Sequence, residues 1–349
     1  MRIGVVHQVR GLGGSDEEQL LGVRLAAAHT RETPSGPART LELVERSFSD
    51  ASELPQHLGE LVRSAGCEAL LGILPVPLSV QAAAWSEAEG VLYATGNNNP
   101  KVGDGRRTVF HTGVPSEVTA EASMAYLRDE LVVNRVAVLH TAGEFQVHAA
   151  KCMIEAAGEL GMDATAVDIG PGTDLDASVR RAVQDHRSDA VCVMGSELDR
   201  LVELVPTLNR LGQGIRMLLS RGMVCQEFAE RCGAAAEGYD FIDLYLRSKE
   251  APAEERALMN RVAAEDAELV TTASHGFGWD GLRLLAAALA NGPGIDEQVA
   301  YLESAGPISG ATGILRFDAS DHNGHRHDNP TTIARLADGR FVPASKLAR

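Results

Sequence analysis

Apolar runs of five or six residues alternate along this chain with stretches whose apolar positions recur about every 3.6 residues. The clearest block runs from Asn134 to Gly195, as RVAVLH, FQVHAAKCMIEAAGELG, MDATAVDIG, DASVRRAVQDH and DAVCVMG. Continuous apolar runs fit strands covered on both faces, and the periodic stretches fit the helices that cover them. The pattern therefore predicts β-α-β units with parallel strands. An earlier block has the same rhythm in IGVVH, LELVERS, ALLGIL and GVLYAT. Two such blocks predict an α/β chain of two lobes with a cleft between them.

The expected strands fall near 3–7, 40–46, 68–74 and 91–95, with helices near 15–29, 51–65 and 79–89. Ser15 followed by Glu18 fits a capping box, which starts the first helix at the end of the glycine loop GLGG. After a short strand, TVFHT, a helix near 116–130 leads to strands at 135–140, 163–168, 189–194 and 215–219. AAEGYDFIDLY reads as a strand, and 252–267, 271–291 and 295–304 read as helices. Three short β-like segments, GILRF, TIARLAD and RFVPA, close the chain.

A length of 349 residues exceeds what one core usually organises, so two domains are expected. With 44% hydrophobic and 23% charged residues, the composition is that of an ordinary globular protein. The 48 acidic residues outnumber 32 basic ones, giving a net charge of −16 with no Lys/Arg block. Nucleic acid is thereby excluded as an expected partner, and anionic membrane surfaces are disfavoured. Without eighteen consecutive apolar residues, no membrane insertion is expected. Cys67, Cys152, Cys192, Cys225 and Cys232 contain no C-x-x-C pair, which argues against a disulfide framework and a zinc site. Cys152 and Cys192 read as small core residues, and Cys225 and Cys232, seven apart on a helix, are too far apart to bridge. The first strand begins at residue 2, which leaves no room for a leader. If Met1 is the true start, the expected compartment is the cytoplasm.

Parallel sheets of this kind take ligands beyond the carboxyl ends of their strands. That directs attention to the loops at 8–15, 74–79, 95–101, 140–145, 195–197 and 219–223. In LPVPLS, Pro75 and Pro77 stiffen the turn, and Ser79 either caps the next helix or helps its first-turn N–H groups receive an anion. Asn97, Asn98 and Asn99 lie between Gly96 and Pro100, where they form a turn or offer amide groups to a ligand. Phe145, beside Glu144, provides a ring for stacking or packs on its own lobe. Arg221, after MLLS, can hold a carboxylate or remain a solvated cation.

The stretch DASDHNGHRHDN, with Asp321, His322, His325, His327 and Asp328, invites a metal reading. Its spacing fails a calcium loop, with Ala319 and Pro330 at the ligand ends, so a solvated turn is expected there. No G-x-S-x-G, H-E-x-x-H or G-x-x-x-x-G-K-[ST] occurs, and GLGG has Asp16 where a dinucleotide loop needs its third glycine. The expectation is binding without chemistry, with no catalytic residue, cofactor or metal.

The chain resembles the type I solute-binding proteins, the branched-chain amino acid and amide receptors that serve ABC transporters. The resemblance is carried by RIGVVHQVRG with LLGVRLA, GILPVPLSVQAAAWSEAEGVLYATGNNNP, RVAVLHTAGEFQVHAAKCMIEAAGELGM, GTDLDASVRRAVQDHRSDAVCVMG, GWDGLRLLAAAL and GATGILRFDASDHNGHRHDNPTTIARLADGRFV. It implies two Rossmann-like lobes with parallel sheets joined by a three-strand hinge. The lobes would be residues 1–114 plus 246–312 and 115–245 plus 313–349, closing on a ligand in the cleft between them.

In amino-acid-binding members, a serine or threonine loop and a G-A-T-[AS]-P segment hold the α-carboxylate and ammonium. An aromatic closes the pocket and an acid neutralises the ammonium. The resemblance puts the serine loop at Pro77, Leu78 and Ser79, the threonine position at Asn98 between Asn97 and Asn99, the aromatic at Phe145 and the acid at or beside Arg221. Arginine in place of an acid reverses the charge offered to the ligand, which favours a carboxylate-bearing, aromatic or amide-containing molecule over a zwitterionic amino acid. The partner implied is an ABC permease, with a periplasmic or extracellular location if a leader is missing from this chain. The alternatives are a cytoplasmic sensor of the amidase-regulator type on the same fold, and an enzyme on this scaffold.

Overall fold

Short, wholly apolar runs such as ALLGI and AVCVM have nowhere to go but the middle of a covered sheet, and both are buried along their whole length. The computed structural model describes residues 1–9, 14–32, 40–195, 197–248, 250–325 and 331–345. It divides into two compact units. The first comprises Met1–Pro115, Pro252–Ala267 and Ser274–Asp328, and the second Ser116–Ala251, Glu268–Ala273 and Asn329–Arg349.

In the first unit, β1 (Arg2–Gln8), β2 (Glu42–Phe48), β3 (Ala69–Ile73), β4 (Leu92–Thr95) and β5 (Val109–His111) form one parallel sheet in the order β2-β1-β3-β4-β5. The helices α1 (Gly14–Glu32), α2 (Leu54–Gly59), α3 (Val76–Glu89) and α4 (Pro100–Gly103) lie between these strands in sequence. Val6, Leu70 and Tyr93 from the sheet pack with Leu58, Leu61, Leu78 and Ala82 in one core.

The second unit repeats that parallel order. Helix α5 (Ser116–Ala125) leads into β6 (Arg135–His140), α6 (Glu144–Glu159), β7 (Asp163–Asp168), α7 (Leu175–Arg180), β8 (Ala190–Met194), α8 (Leu198–Leu211), β9 (Arg216–Leu219), α9 (Gln226–Cys232) and β10 (Asp240–Asp243). The strands run β10-β9-β8-β6-β7, all parallel. Alternation along β6 sends Val136 and Val138 to one core and Ala137 and Leu139 to the other, which is why its sequence is continuously apolar.

Helices α10 (Ala253–Glu265), α11 (Ala273–Asn291) and α12 (Ile295–Ser304) follow, then the small antiparallel pair β11 (Ile308–Gly310) and β12 (Gly313–Leu315). The chain closes with an antiparallel hairpin, β13 (Thr332–Ala337) and β14 (Arg340–Ser345), which extends the second sheet beyond β10. TIARLAD and RFVPA are thus the two arms of one hairpin.

Several expectations need correction. Residues 246–251 and 268–273 belong to the second unit, and 313–328 to the first. For the latter segment the cause is backbone pairing. His111 N–H donates to the His322 carbonyl, Gly324 N–H donates to the His111 carbonyl, and Asn323 pairs with His111 at the edge of β5. The expected solvated turn is therefore packed: Asp321 and His325 are buried, and the His322 ring stacks on Phe110 with centroids 4.1 Å apart. His327 and Asp328 lie outside the described residues, as does most of the GLGG loop. Ser15, expected to cap α1, falls inside its first turn. Helix α8, interrupted in sequence by Pro206, was not among the expected elements.

Candidate functional site

The order β2-β1-β3-β4-β5 reverses direction between β1 and β3, and the second sheet does the same between β6 and β8. Ligands of such sheets settle outside the carboxyl ends of the strands near that reversal.

After β3, helix α3 starts at Val76 with Pro75 as its N-cap, and no side chain caps it. The cap thus offers no side-chain acceptor to the first-turn N–H groups of Val76 and Leu78, the arrangement that suits an anion. Pro77 is exposed in that turn, and the Leu78 side chain is buried in the core. Ser79 is not the cap. Its N–H donates to the Pro75 carbonyl, and its fully buried hydroxyl shares hydrogen bonds with Tyr93 Oη at 3.0 Å and Thr95 Oγ1 at 3.5 Å. Thr95 Oγ1 passes the chain on to the Gly72 carbonyl at 3.3 Å. A Cβ at Gly72 would lie 1.9 Å from Tyr93 Oη, so the tyrosine reaches Ser79 only because residue 72 is glycine. Burial pushes the Tyr93 hydroxyl up to about 12, and it stays a neutral donor.

The three asparagines after β4 divide their labour. Asn99, buried, caps α4 by accepting from Lys101 N–H at 3.0 Å. Asn97 Oδ1 accepts from Asn99 N–H at 3.0 Å, an Asx turn, and the Asn97 carbonyl accepts from His111 Nδ1. Asn98 Nδ2 donates to the Val114 carbonyl and ties two strand-end loops together. Among the described residues, the Asn97 side-chain NH₂ and the Asn98 side-chain oxygen are left outside these hydrogen bonds, both on partly exposed residues. Nearby, Gln19 of α1 reaches toward Gly96 with its amide nitrogen buried and unbonded among the described residues.

In the second unit, Phe145 sits in the first turn of α6 directly after β6, with 39% of its surface exposed. Thr141 on the same loop is fully buried, and its hydroxyl has no partner among the described residues. Arg221 follows β9 and donates from one guanidinium nitrogen to Thr119 Oγ1 at 2.7 Å. Among the described residues no carboxylate comes within ion-pair distance of it. Desolvation lowers its pKa to about 10, against the raising influence of Asp243 and Tyr245, so it remains a cation at neutral pH. A desolvated cation without a paired acid is a costly arrangement unless an anion completes it.

Sequence reasoning missed the surroundings of Arg221. Asp243, at the end of β10 and 1% exposed, accepts from Arg247 Nε at 2.6 Å and from Leu244 N–H at 2.8 Å. Arg247 also donates to the Thr271 carbonyl at 2.7 Å and lies over the Tyr245 ring, and the Tyr245 hydroxyl donates to the Thr272 carbonyl at 2.9 Å. The signal available was the i,i+4 spacing of Asp243 and Arg247. Gln19 and Thr141 had no sequence signal, since being unpaired is a property of the folded surroundings.

The sequence profile of a family described as periplasmic binding protein matches residues 1–340. No curated protein matches the chain in sequence. Among solved structures, a leucine-binding protein, LivK, from Thermotoga maritima MSB8 superposes with a TM-score of 0.80 at 18% identity, covering 99% of this chain and 97% of its own. The branched-chain amino acid transporter substrate-binding protein LivJ from Streptococcus pneumoniae, in complex with isoleucine, gives 0.78 at 18% identity, with 98% and 97% covered. An ABC transporter solute-binding protein from R. palustris, in complex with benzoate, gives 0.79 at 14% identity, with 99% and 96% covered.

Proposed function

The chain belongs to the periplasmic binding protein family, and we propose that it captures a small organic molecule bearing a carboxylate or amide and releases it unchanged, as the solute-binding component of an ABC importer. Its α/β units with parallel-rich sheets have the type I fold of that family. The observation that carries the ligand class is Arg221, a desolvated guanidinium at a strand end whose hydrogen-bond partner among the described residues is Thr119. Arginine suits a carboxylate because its planar donors match two oxygens at once. The exposed ring of Phe145 and the Thr141 hydroxyl, which has no partner among the described residues, both lie after β6 and supply stacking area and a polar contact. Taken by itself, the first unit presents the first turn of α3 with Pro77 and Leu78, the Asn97 amide and the Asn98 carbonyl at its own strand ends, and the buried hydroxyl of Ser79 holds the loop from beneath.

A relative of this fold holds benzoate and others hold leucine or isoleucine. For this chain the cation at Arg221 favours the carboxylate without an α-ammonium, because the ammonium would face like charge. Transport fits the context of those relatives, and the permease is the partner that this reading requires.

A thermal-shift panel on the full chain with benzoate, benzamide, leucine and isoleucine tests the reading. A ligand at a hundred times its dissociation constant stabilises the fold by about 2.7 kcal/mol. Benzoate or a related acid is expected to give the largest shift and to be recovered intact by mass spectrometry. A flat response to every acid and amide, or a recovered product instead of the added compound, would overturn it.

A further inference from the structure

We propose that Glu117, His148 and Cys152 form a binding site for one divalent cation of the zinc class. His148 and Cys152 are four residues apart on α6 and so lie on one face of it, and Glu117 stands in the first turn of α5. Cys152 Sγ is 3.7 Å from His148 Nε2, His148 Nε2 is 3.4 Å from Glu117 Oε1, and the three donor atoms all lie within 4.8 Å of one another. A tetrahedral zinc with its usual bonds of about 2.0–2.3 Å places neighbouring ligand atoms about 3.3–3.8 Å apart. Two of the three edges already have that length, and rotation of the exposed Glu117 side chain supplies the third.

The donor chemistry selects the metal. Thiolate, imidazole and one carboxylate suit zinc, cobalt or nickel, and do not suit magnesium or calcium, which ask for oxygen alone. Cys152 is buried, His148 partly so and Glu117 exposed, so the fourth position opens to water. Binding replaces the thiol S–H bond by a metal–sulfur bond and releases that proton to solvent. The sequence lacks a C-x-x-C pair because the ligands converge only through the packing of α5 on α6. An ion here pins the first turn of α5 to α6, three residues along that helix from Phe145. These three side chains bind the ion whichever solute the protein carries.

Cobalt(II) is the probe. Titrated into the metal-free full chain, it is expected to give a thiolate-to-cobalt charge-transfer band that saturates at one equivalent and is displaced by zinc. Cys152→Ser abolishes the band, and His148→Gln and Glu117→Gln each weaken cobalt binding by more than about tenfold. Glu117 is exposed, so its variant folds even if the buried cysteine tolerates no change. A wild-type titration without the band overturns the proposal, as does a band that survives Cys152→Ser or affinities unaltered by both His148→Gln and Glu117→Gln. Zinc binding that persists in those variants assigns the metal to other side chains.

Discussion

Ser79 Oγ and Tyr93 Oη share a hydrogen bond of 3.0 Å in the fully buried interior of the first unit, beneath the loop that follows β3. The serine that a ligand reading singles out therefore holds the tyrosine, and the tyrosine fills the space over Gly72. Ser79→Ala leaves the phenol without its nearest partner, at a cost of about 1–3 kcal/mol in urea unfolding. Affinity for an acid that shifts the wild type is expected to stay within about twofold. Unchanged stability with lost ligand response would put the Ser79 hydroxyl in contact with the solute.

Arg221 separates stability from function in the opposite direction. Its charge is desolvated and has no acid within ion-pair reach among the described residues, so it carries a desolvation cost in the folded protein. Arg221→Met keeps the length of the side chain and removes the charge. The variant is expected to be as stable as the wild type or more stable by about 1 kcal/mol, and to lose about 100-fold in affinity for any acid that shifts the wild type. Arg221→Glu places a second acid near Asp243 and should abolish the response to acids. Calorimetric titration alongside thermal unfolding reads both quantities. Retained affinity in Arg221→Met would remove the guanidinium from the site.

Most of the architecture was readable from the chain because strands buried on both faces carry their signal in every residue. RVAVLH and ALLGIL fell on the buried strands β6 and β3 as expected, and MDATAVDIG fell on β7, an edge strand that is buried only in part. The rhythm failed where proline broke it, in α8 around Pro206, and where strands were too short to declare a partner, in 308–315 and 318–325. Asn97, Asn98 and Asn99 were placed correctly at the end of β4, but their identity could not say which amide would be consumed by a cap and which left for a ligand. That division depends on the backbone N–H groups the fold brings to each oxygen. Asp243 beside Arg221 was invisible for the same reason, since 22 residues separate them in sequence and only β9 and β10 lying side by side unite them.

Two buried groups of the first unit give it opposing pH dependences. Burial raises Asp280 to about 6, against hydrogen bonds from Ala311 N–H and from Thr312 N–H and Oγ1. Between its unfolded value near 3.8 and about 6 the folded state holds more protons, so stability falls as pH rises through that window. Burial lowers His275 from 6.5 to about 4, so there the unfolded state holds more protons and stability rises with pH. The two slopes oppose each other in the wild type. In Asp280→Asn only the histidine remains, and the stability of the wild type minus that of the variant is expected to drop by about 2–3 kcal/mol from pH 4 to pH 7. Urea titrations at both pH values measure this, and a constant difference would mean that Asp280 ionises normally.

Helices α1 and α11 meet backbone to backbone through glycine. A Cβ at Gly22 would lie 1.9 Å from the His275 carbonyl oxygen, and one at Gly278 would lie 2.0 Å from the Gln19 carbonyl oxygen. Neither obstacle is a side chain that can rotate away. Alanine improves helix propensity by about 1 kcal/mol, but here it must push the two helices apart by more than 1 Å and loosen the packing of Trp279 and Leu282, both fully buried. The overlap should dominate, with Gly22→Ala destabilising the protein by about 2 kcal/mol or more. Gly158→Ala is the control, since that glycine is exposed in α6 with nothing within 4 Å of a Cβ, and its substitution should stabilise by up to about 1 kcal/mol. Gln19 is carried by α1 at this crossing, so displacing the helix also moves its amide nitrogen, unbonded among the described residues, away from Gly96. Equal stabilisation by both alanines would show that the crossing has room to spare.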